Sequence, residues 1–364
     1  MVAMSGGVDS SVAAYLIKQQ GYETIGITLK LFDNEDVGIS REKTCCSLED
    51  VEDARSVACK LDIPFYVLNF SDTFKTEVID RFINEYRCGH TPNPCIDCNR
   101  YIKFEKLIMR AEQLNFDYVV TGHYAQVGYD SISGRYLLKK AVDTTKDQSY
   151  VLFSLTQKQL SKTIFPLGEL RKTEVRQLAQ ENGFINAKKH DSQDICFVKD
   201  GDYAKFIEVY SGESFKTGNF VDLQGNILGI HNGIIHYTIG QRKGLGLSFE
   251  RPMYVCSKDI INNTVTLGEE TDLYSKSLTA NGINLIACSS IERPMRVKAK
   301  VRYKQEEQWA TIEQTEPTQV HLEFDFPQRA IAKGQAVVFY DGETVHGVGP
   351  QNRTTALNGN EAQV

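Results

Sequence analysis

The feature that most constrains this chain is a glycine turn near its start, SGGVDSS at residues 5–11. A short apolar run precedes the turn, and a helical apolar pattern runs from Ser10 to Gln20. The first N–H groups of a helix have no partner inside the helix, so a strand that turns through glycines into a helix aims several amides at one point. The turn therefore predicts a phosphate site at the carboxyl end of a strand.

The residue types of the turn narrow the kind of phosphate site. Ser5, Ser10 and Ser11 add hydroxyl donors, and Asp9 can hold a Mg²⁺ ion that bridges phosphates. The stretch has neither the lysine of the G-x-x-x-x-G-K-[ST] loop nor the G-x-G-x-x-G spacing of dinucleotide sites. S-G-G-x-D-S after a strand resembles the pyrophosphate-binding loop of the ATP pyrophosphatases, which adenylate a substrate and release pyrophosphate. On spacing alone, a glycine-rich turn with a capping aspartate is the alternative.

The first two hundred residues alternate between strand and helix patterns. Apolar β-branched runs predict strands at 24–32, 65–70 and 117–124, and helical spacing between them begins with a capping pair at Ser47 and Asp50. This alternation predicts a doubly wound parallel sheet that binds its ligand at the carboxyl ends of the strands. The predicted division of the chain is a catalytic α/β domain at 1–204, a small central β-containing domain at 205–277, a C-terminal β-barrel at 278–349 and a disordered polar tail at 350–364.

Composition excludes several other classes of protein. No run approaches the ~20 apolar residues of a membrane span, and the first residues do not form a signal-peptide pattern, so we predict a cytoplasmic protein without membrane partners. Nine cysteines in such a chain favour reduced thiols, metal ligands or catalysis over a disulfide framework. The net charge of −6 means that any nucleic-acid surface must be a local basic patch.

One such patch is predicted in MRVKAKVRYK, residues 295–304. Apolar residues alternate with five basic ones, and no acidic residue lies between them. A strand with one basic face suits a phosphate backbone, while a solvated strand face is the simpler alternative. The basic face consists of Arg296, Lys298, Lys300, Arg302 and Lys304.

Three cysteines lie in polar loops, where a purely structural role is unusual. Cys95 and Cys98 form a C-x-x-C in TPNPCIDCNR, and Cys196 lies in DSQDICFV. Cys98 is predicted near a helix N-terminus, which lowers the pKa of a thiol. The residues alone leave open a metal or iron–sulfur site, buried apolar thiols, or a nucleophile paired with a sulfur carrier.

Taken in order, six segments resemble the tRNA-specific 2-thiouridylases over residues 2–348. They are AMSGGVDSSVAAYLIKQQGY, TPNPCIDCNRYIKF, TGHYA, KDQSYVLF, DSQDICFV and YTIGQRKGLG. The resemblance implies an adenine nucleotide alpha-hydrolase-like PP-loop fold and ATP with Mg²⁺ as cofactors. It also implies transfer of sulfur to the wobble uridine of tRNAs for Lys, Glu and Gln, with a cysteine desulfurase or sulfur-relay protein as persulfide donor.

The same resemblance assigns roles to individual positions. Cys98 is implied as the nucleophile and Cys196 as the persulfide carrier, with a transient Cys98–Cys196 disulfide. Asn93, Pro94 and Cys95 are implied to line the target base. ATP is implied to bind at Ala3, Met4, Ser5, Gly6, Gly7, Val8, Asp9, Ser10, Leu29 and Gly122, and tRNA at His123, Lys146, Asp147, Gln148, Arg302, Tyr303 and Gln335.

The chain departs from the family pattern at Cys95, where some members have an aspartate. The added thiol keeps an iron–sulfur cluster on Cys95, Cys98 and Cys196 open as a hypothesis. Two other functions also remain open at this point. One is an ATP pyrophosphatase that adenylates a small molecule, and the other is a non-catalytic iron–sulfur or redox RNA-binding protein.

Overall fold

The computed structural model describes residues 1–32, 48–191, 195–198 and 201–356. Its first domain is built on a parallel sheet with the strand order β3-β2-β1-β4-β7. These strands are β1 (Val2–Ala3), β2 (Gly26–Lys30), β3 (Phe65–Asn69), β4 (Val119–Val120) and β7 (Thr163–Ile164). The predicted parallel α/β sheet is confirmed, although β4 is much shorter than the predicted strand at 117–124.

Helices connect these strands and cover both faces of the sheet. Neighbouring residues of β4 illustrate the two layers, since Val119 packs into one apolar cluster and Val120 into another. The helices are α1 (Val8–Gln19), α2 (Leu48–Lys60), α3 (Ser71–Phe74), α4 (Asp80–Arg87), α5 (Pro94–Asp97), α6 (Leu107–Gln113), α7 (Gln157–Ser161) and α8 (Lys172–Glu181). Ser47 of the predicted capping pair lies outside the described residues.

Two of the helical segments contain a π-helical stretch. Lys75–Ile79 joins α3 to α4, and Cys98–Lys106 joins α5 to α6, so that each segment continues from its first α-helix to its last. Wide π-helical turns are uncommon and are often found at functional sites. The second stretch begins at one of the cysteines singled out from the sequence.

A β-hairpin that the sequence patterns did not indicate interrupts the α/β domain. Its strands are β5 (Gln126–Asp130) and β6 (Arg135–Lys139), and Lys139 pairs with Thr344 of the C-terminal domain. The α/β domain and the C-terminal domain therefore share one hydrogen-bonded sheet.

The central part of the chain combines helix α9 (Tyr203–Ser211) with a four-stranded mixed sheet. The strands are β8 (Gly218–Val221), β9 (Ile227–His231), β10 (Tyr254–Asp259) and β11 (Thr264–Gly268). A small β-containing domain was expected here, but α9 runs across the predicted division at 204–205. That division would cut a helix, so a boundary before Tyr203 suits the fold better.

The last domain is a closed β-barrel, as predicted. Its strands are β12 (Tyr274–Asn281), β13 (Asn284–Leu285), β14 (Met295–Lys300), β15 (Gln308–Glu316), β16 (Gln319–Arg329), β17 (Ala336–Asp341) and β18 (Thr344–Ala356). The barrel closes because β12 pairs with both β16 and β18. The predicted division at 277–278 falls inside β12.

The prediction of a disordered tail from Pro350 is wrong for its first residues. Strand β18 continues to Ala356, and Gln351 to Ala356 lie along β12 in antiparallel register. The backbone groups of this polar segment are used to close the barrel, which composition alone does not reveal. Residues 357–364 lie outside the described part. Within that part, no helix is long and apolar enough to cross a membrane.

Candidate active site at the carboxyl edge of the parallel sheet

A cavity of about 330 Å³ lies where β1, β2 and β4 end. It brings together the glycine turn, the C-x-x-C segment and the DSQDICFV segment, which are far apart in sequence. Its walls include most of the residues that the sequence nominated: Ala3, Met4, Ser5, Asp9, Ser10, Leu29, Pro94, Cys95, Cys98, Gly122, His123, Gln148 and Cys196. Among the nominated residues, Gly6, Gly7, Val8, Asn93, Lys146, Asp147, Arg302, Tyr303 and Gln335 do not line it.

Hydroxyl groups fix the shape of the glycine turn. The Ser10 hydroxyl accepts from the backbone N–H of Ser5 at 3.1 Å and donates to the Gly7 carbonyl at 3.0 Å. Ser11 also donates to Gly7 and accepts from the side chain of Asn186, and it is fully buried. Ser11 therefore holds the turn from behind, contrary to its predicted role as a donor to the ligand.

Two glycines are required by the packing of the chain against itself. Gly6 has a φ of +75°, and a Cβ at this position would overlap the carbonyl of Asp50 in α2. A Cβ at Gly122 would lie 2.7 Å from the backbone nitrogen of Ser10. The absence of a side chain at these two positions lets α2 and the end of β4 approach the turn. What each glycine accommodates is therefore the backbone of a neighbouring segment.

A buried lysine that the sequence did not single out binds the aspartate of the turn. Lys172, the first residue of α8, places its Nζ 2.7 and 2.8 Å from the two carboxylate oxygens of Asp9 and 2.8 Å from Asp191. Tyr124 donates its hydroxyl to Asp9 at 2.8 Å. Partial burial opposes ionisation of Asp191, but hydrogen bonds from Lys146 and Lys172 outweigh it and lower its pKa to about 2.

This arrangement bears on the predicted Mg²⁺ site. Both oxygens of Asp9 already accept hydrogen bonds from the ammonium group of Lys172. A Mg²⁺ ion bound to Asp9 would therefore displace this ammonium group or share the carboxylate with it. In the described part of the chain, no group of three His, Cys, Asp or Glu side chains is arranged as ligands of one metal ion. The magnesium and iron–sulfur assignments therefore stay predictions.

The prediction of a lowered pKa for Cys98 is wrong. The helix begins at Pro94, so Cys98 lies a full turn inside it and away from its free amides. Burial raises the pKa of the Cys98 thiol, and only a partial opposing effect comes from the charge of Lys103. Cys95 is the thiol in the first turn, where its own N–H donates to the Asn93 side chain at 3.1 Å.

We expect the raised pKa to appear in the alkylation of Cys98. Because only the thiolate reacts, its rate of modification by iodoacetamide should rise about tenfold per pH unit and show no plateau up to about pH 9. Mass spectrometry of the Cys98 peptide measures this rate, with a small free thiol of pKa about 8.5 as the reference. A plateau below pH 8 would contradict the burial argument.

Three of the seven predicted tRNA residues lie at the seam between the α/β domain and the barrel. Tyr303 donates its hydroxyl to the Asp147 carbonyl at 3.2 Å, and Gln335 donates its side-chain amide to the Thr91 carbonyl at 2.5 Å. Arg302 donates to two backbone carbonyls, one in the central domain and one within the C-terminal domain. These contacts hold the C-terminal domain against the other two domains, so the residues already have a structural role.

The other predicted tRNA residues also have partners inside the protein. His123 is buried, hydrogen-bonded to Thr121 at 2.7 Å, and burial lowers its pKa well below the usual value. Lys146 pairs with Asp191 at 2.8 Å, and Gln148 accepts from the Tyr124 backbone at 3.0 Å. His123 and Gln148 nevertheless line the cavity, where a nucleotide would reach them.

The basic face of β14 is only partly as predicted. Val297 and Ala299 point inward and Arg296 and Lys298 point outward, as the alternation required. Asp325 of β16, however, binds the Arg296 guanidinium through two contacts of 2.7 and 2.8 Å. The strand also ends at Lys300, so residues 301–304 do not continue its face. The sequence could not show an acidic partner from β16, which lies two strands away from β14 in the sheet.

The parallel sheet, the glycine turn at its carboxyl edge and the cavity beyond it place this chain among the doubly wound α/β proteins that bind a ligand at the carboxyl edge of the sheet. Three family models match it: a tRNA methyl transferase HUP domain at residues 1–200, a tRNA methyl transferase PRC-barrel domain at 204–269 and an aminomethyltransferase beta-barrel domain at 275–350. Proteins described as tRNA-specific 2-thiouridylases match nearly the whole length of this chain. The chain belongs to the family of tRNA-specific 2-thiouridylases.

The relatives show how far this similarity extends. The tRNA-specific 2-thiouridylase of Clostridioides difficile is 54% identical over 96% of both chains, and that of Acetivibrio thermocellus is 54% identical over 96% of this chain and 98% of its own. Among solved structures, a 4-thiouridine synthetase–RNA complex with bound ATP has a TM-score of 0.31 and 21% identity, covering 54% of this chain and 43% of its own.

Proposed function

We propose that this protein catalyses the ATP-dependent 2-thiolation of the wobble uridine in tRNA. The observation that carries the proposal is that one cavity holds both the pyrophosphate turn and the two cysteines Cys98 and Cys196. A small-molecule adenylating enzyme needs the turn but has no use for two thiols beside it. Membership of the 2-thiouridylase family favours the same conclusion.

The first half of the reaction is the activation of the base. The uridine O2 attacks the α-phosphate of ATP, and pyrophosphate leaves toward the glycine turn. Asp9 and Ser10 in the first turn of α1 line the cavity, and the N-terminal end of this helix favours the released negative charge. Lys172 adds a positive charge beside Asp9. Adenylation turns the oxygen on C2 into part of a good leaving group, AMP.

The second half is the transfer of sulfur. Cys196 carries a persulfide, and its terminal sulfur attacks C2 with loss of AMP. The Cys98 thiolate then attacks Sγ of Cys196, the S–S bond breaks, and its electron pair stays on the sulfur bound to the base. The products are 2-thiouridine and a Cys98–Cys196 disulfide. Lys103 lines the cavity, and its charge favours the Cys98 thiolate.

The base must leave its stack in the anticodon loop to reach this cavity. Asn93, Pro94 and Cys95 lie at the start of α5, and of these Pro94 and Cys95 are on the cavity wall. We propose that this segment lines the flipped uridine and that His123 and Gln148 contact the nucleotide. The barrel and the β5–β6 hairpin would then support the rest of the tRNA.

A thiolation assay tests the proposal. The protein is incubated with ATP, Mg²⁺, unmodified tRNA and a persulfide donor such as a cysteine desulfurase with cysteine. Nuclease digestion and mass spectrometry then measure 2-thiouridine while pyrophosphate release is followed in parallel. We expect both products in a 1:1 ratio, and neither without tRNA.

Other outcomes separate the alternatives. Pyrophosphate without 2-thiouridine, given a competent donor, would indicate another substrate for adenylation. Binding of tRNA that is indifferent to ATP, without pyrophosphate, would indicate a non-catalytic RNA-binding protein. Because two of the three matching family models carry a tRNA methyl transferase description, a parallel reaction with S-adenosylmethionine is included, and we expect no methylated base.

A further inference from the structure

We propose that Cys95 is a resolving thiol that attacks the Cys98–Cys196 disulfide, so that each turnover ends with a disulfide between Cys95 and Cys98. This inference rests on the proposed function, because that reaction produces the disulfide to be resolved. It gives a role to the exposed thiol of the C-x-x-C segment, which lines the same cavity as Cys98 and Cys196.

The geometry of the helical segment supports the exchange. Cys95 and Cys98 are three residues apart in a continuous helical stretch, and both line the same cavity as Cys196. Residues at this spacing have Cβ atoms about 5–6 Å apart. A disulfide needs Cβ atoms about 3.5–4.5 Å apart, so an adjustment of about 1–2 Å in the first helical turn is enough.

Exposure distinguishes the two thiols of the C-x-x-C. Cys95 is exposed, whereas Cys98 and Cys196 are partly buried and pack against the apolar cluster that contains Phe74 and Phe197. An external reductant that acted on the Cys98–Cys196 disulfide directly would have to enter the cavity proposed for ATP and the base. A disulfide moved to Cys95 is accessible from outside it.

The position of Cys95 also suits a nucleophile. It lies in the first turn of a helix capped by Asn93, at the positive end of the helix dipole, which attracts negative charge. Tyr303 of the barrel lies close enough for the charge of Cys95 to contribute to the raised pKa of its phenol, after burial and Asp147. Cys95 is thus at the open rim of the cavity, between the α/β domain and the barrel.

The exchange balances without a further reactant. The Cys95 thiolate attacks Sγ of Cys98, the Cys98–Cys196 bond breaks, and the electron pair leaves on Sγ of Cys196. Cys196 is then a thiolate that can accept a new persulfide. An external dithiol reduces the Cys95–Cys98 disulfide, giving up two electrons and two protons and becoming a disulfide itself.

The test maps the disulfides after one turnover. The full-length protein is loaded with persulfide by a cysteine desulfurase and cysteine, freed of small thiols, and mixed with ATP, Mg²⁺ and unmodified tRNA without a reductant. The reaction is stopped in acid, thiols are alkylated, and peptides and 2-thiouridine are measured by mass spectrometry. We expect at least three times more Cys95–Cys98 than Cys98–Cys196 disulfide, with their sum equal to the 2-thiouridine formed.

Two variants sharpen the result. In Cys95→Ser, any 2-thiouridine formed should be matched by a Cys98–Cys196 disulfide, and a dithiol should reduce it about tenfold more slowly than the wild-type disulfide. Cys88→Ser is the matched control, because Cys88 is also exposed but does not line the cavity. It should reproduce the wild-type disulfide pattern.

The outcomes that overturn the inference are distinct from one another. A wild-type protein that forms 2-thiouridine but retains the Cys98–Cys196 disulfide, with Cys95 alkylated, rejects the resolving role alone. Bound iron that protects Cys95 from alkylation until a chelator is added also rejects it, in favour of a cluster ligand. Absence of 2-thiouridine from the wild-type reaction rejects the proposed function and this inference with it.

Discussion

Replacement of either Cys98 or Cys196 by serine should reduce 2-thiouridine formation by at least about 100-fold, and the two variants should stop at different steps. Each serine removes a sulfur atom that takes part in bond making, and its hydroxyl is not an effective nucleophile near neutral pH. Cys196→Ser has no thiol at that position to accept the persulfide. It should still release pyrophosphate, because the glycine turn is untouched.

Cys98→Ser should accept the persulfide on Cys196 but fail to free the transferred sulfur. We expect mass spectrometry of the intact protein to show an increase of about 32 Da for the added sulfur, or a covalent adduct with tRNA through Cys196. Cys256→Ser is the matched control, since Cys256 lies on β10 of the central domain and does not line the cavity. Full activity of either cavity variant would show that its thiol is not required.

The parallel sheet could be predicted because its causes are local. The apolar runs of β2 and β3 and the glycine turn before α1 each carry their own pattern, and each lies close to where the sequence indicated. The predicted strand is longer than β4 because TGHY adds a β-branched and an aromatic residue, which are common in strands. In the structure Gly122 packs against the backbone at Ser10, and the chain leaves the sheet there.

Other features depend on contacts between distant segments, which a single sequence does not display. Lys172 begins an ordinary amphipathic helix, and nothing in its neighbourhood indicates that it faces Asp9, 163 residues away. The pairing of Arg296 with Asp325 and the closure of the barrel by Gln351–Ala356 have the same origin. The predicted direction of the Cys98 pKa shift is wrong because the prediction depended on where the helix begins. The helix begins at Pro94, which places Cys98 a full turn from its N-terminus.

The ion pair of Lys172 with Asp9 is expected to contribute to both stability and pyrophosphate release. Lys172→Met should destabilise the protein by about 2–3 kcal/mol at neutral pH and reduce ATP-dependent pyrophosphate release by at least about tenfold. The substitution keeps the length of the side chain but removes the cation shared by Asp9 and Asp191. Breaking a fully buried ion pair costs about 3–5 kcal/mol, and the lower value expected here allows for the two carboxylates, which are 31% and 29% exposed.

Denaturant unfolding and a pyrophosphate assay measure the two effects. Lys158→Met is the matched control, because Lys158 is 71% exposed and pairs with Glu112 on the surface. That substitution should change the free energy of unfolding by less than about 0.5 kcal/mol and leave pyrophosphate release intact. If the free energy of unfolding fell by the same amount in both variants, the contacts of Lys172 with Asp9 and Asp191 would contribute no more to stability than a surface ion pair.

The dependence on pH gives an independent check of the same contacts. The pKa of Asp191 is lowered to about 2 in the folded protein, compared with about 4 in an unfolded chain. A carboxyl group of this kind stabilises the fold above pH 4, and its contribution is lost as the pH falls from about 4 toward 2. The difference in stability between wild type and Lys172→Met should therefore be largest near pH 7 and shrink below pH 4, because protonated Asp191 no longer needs the cation. A difference that stayed constant from pH 7 to pH 3 would instead assign the loss to the packing of the Lys172 side chain.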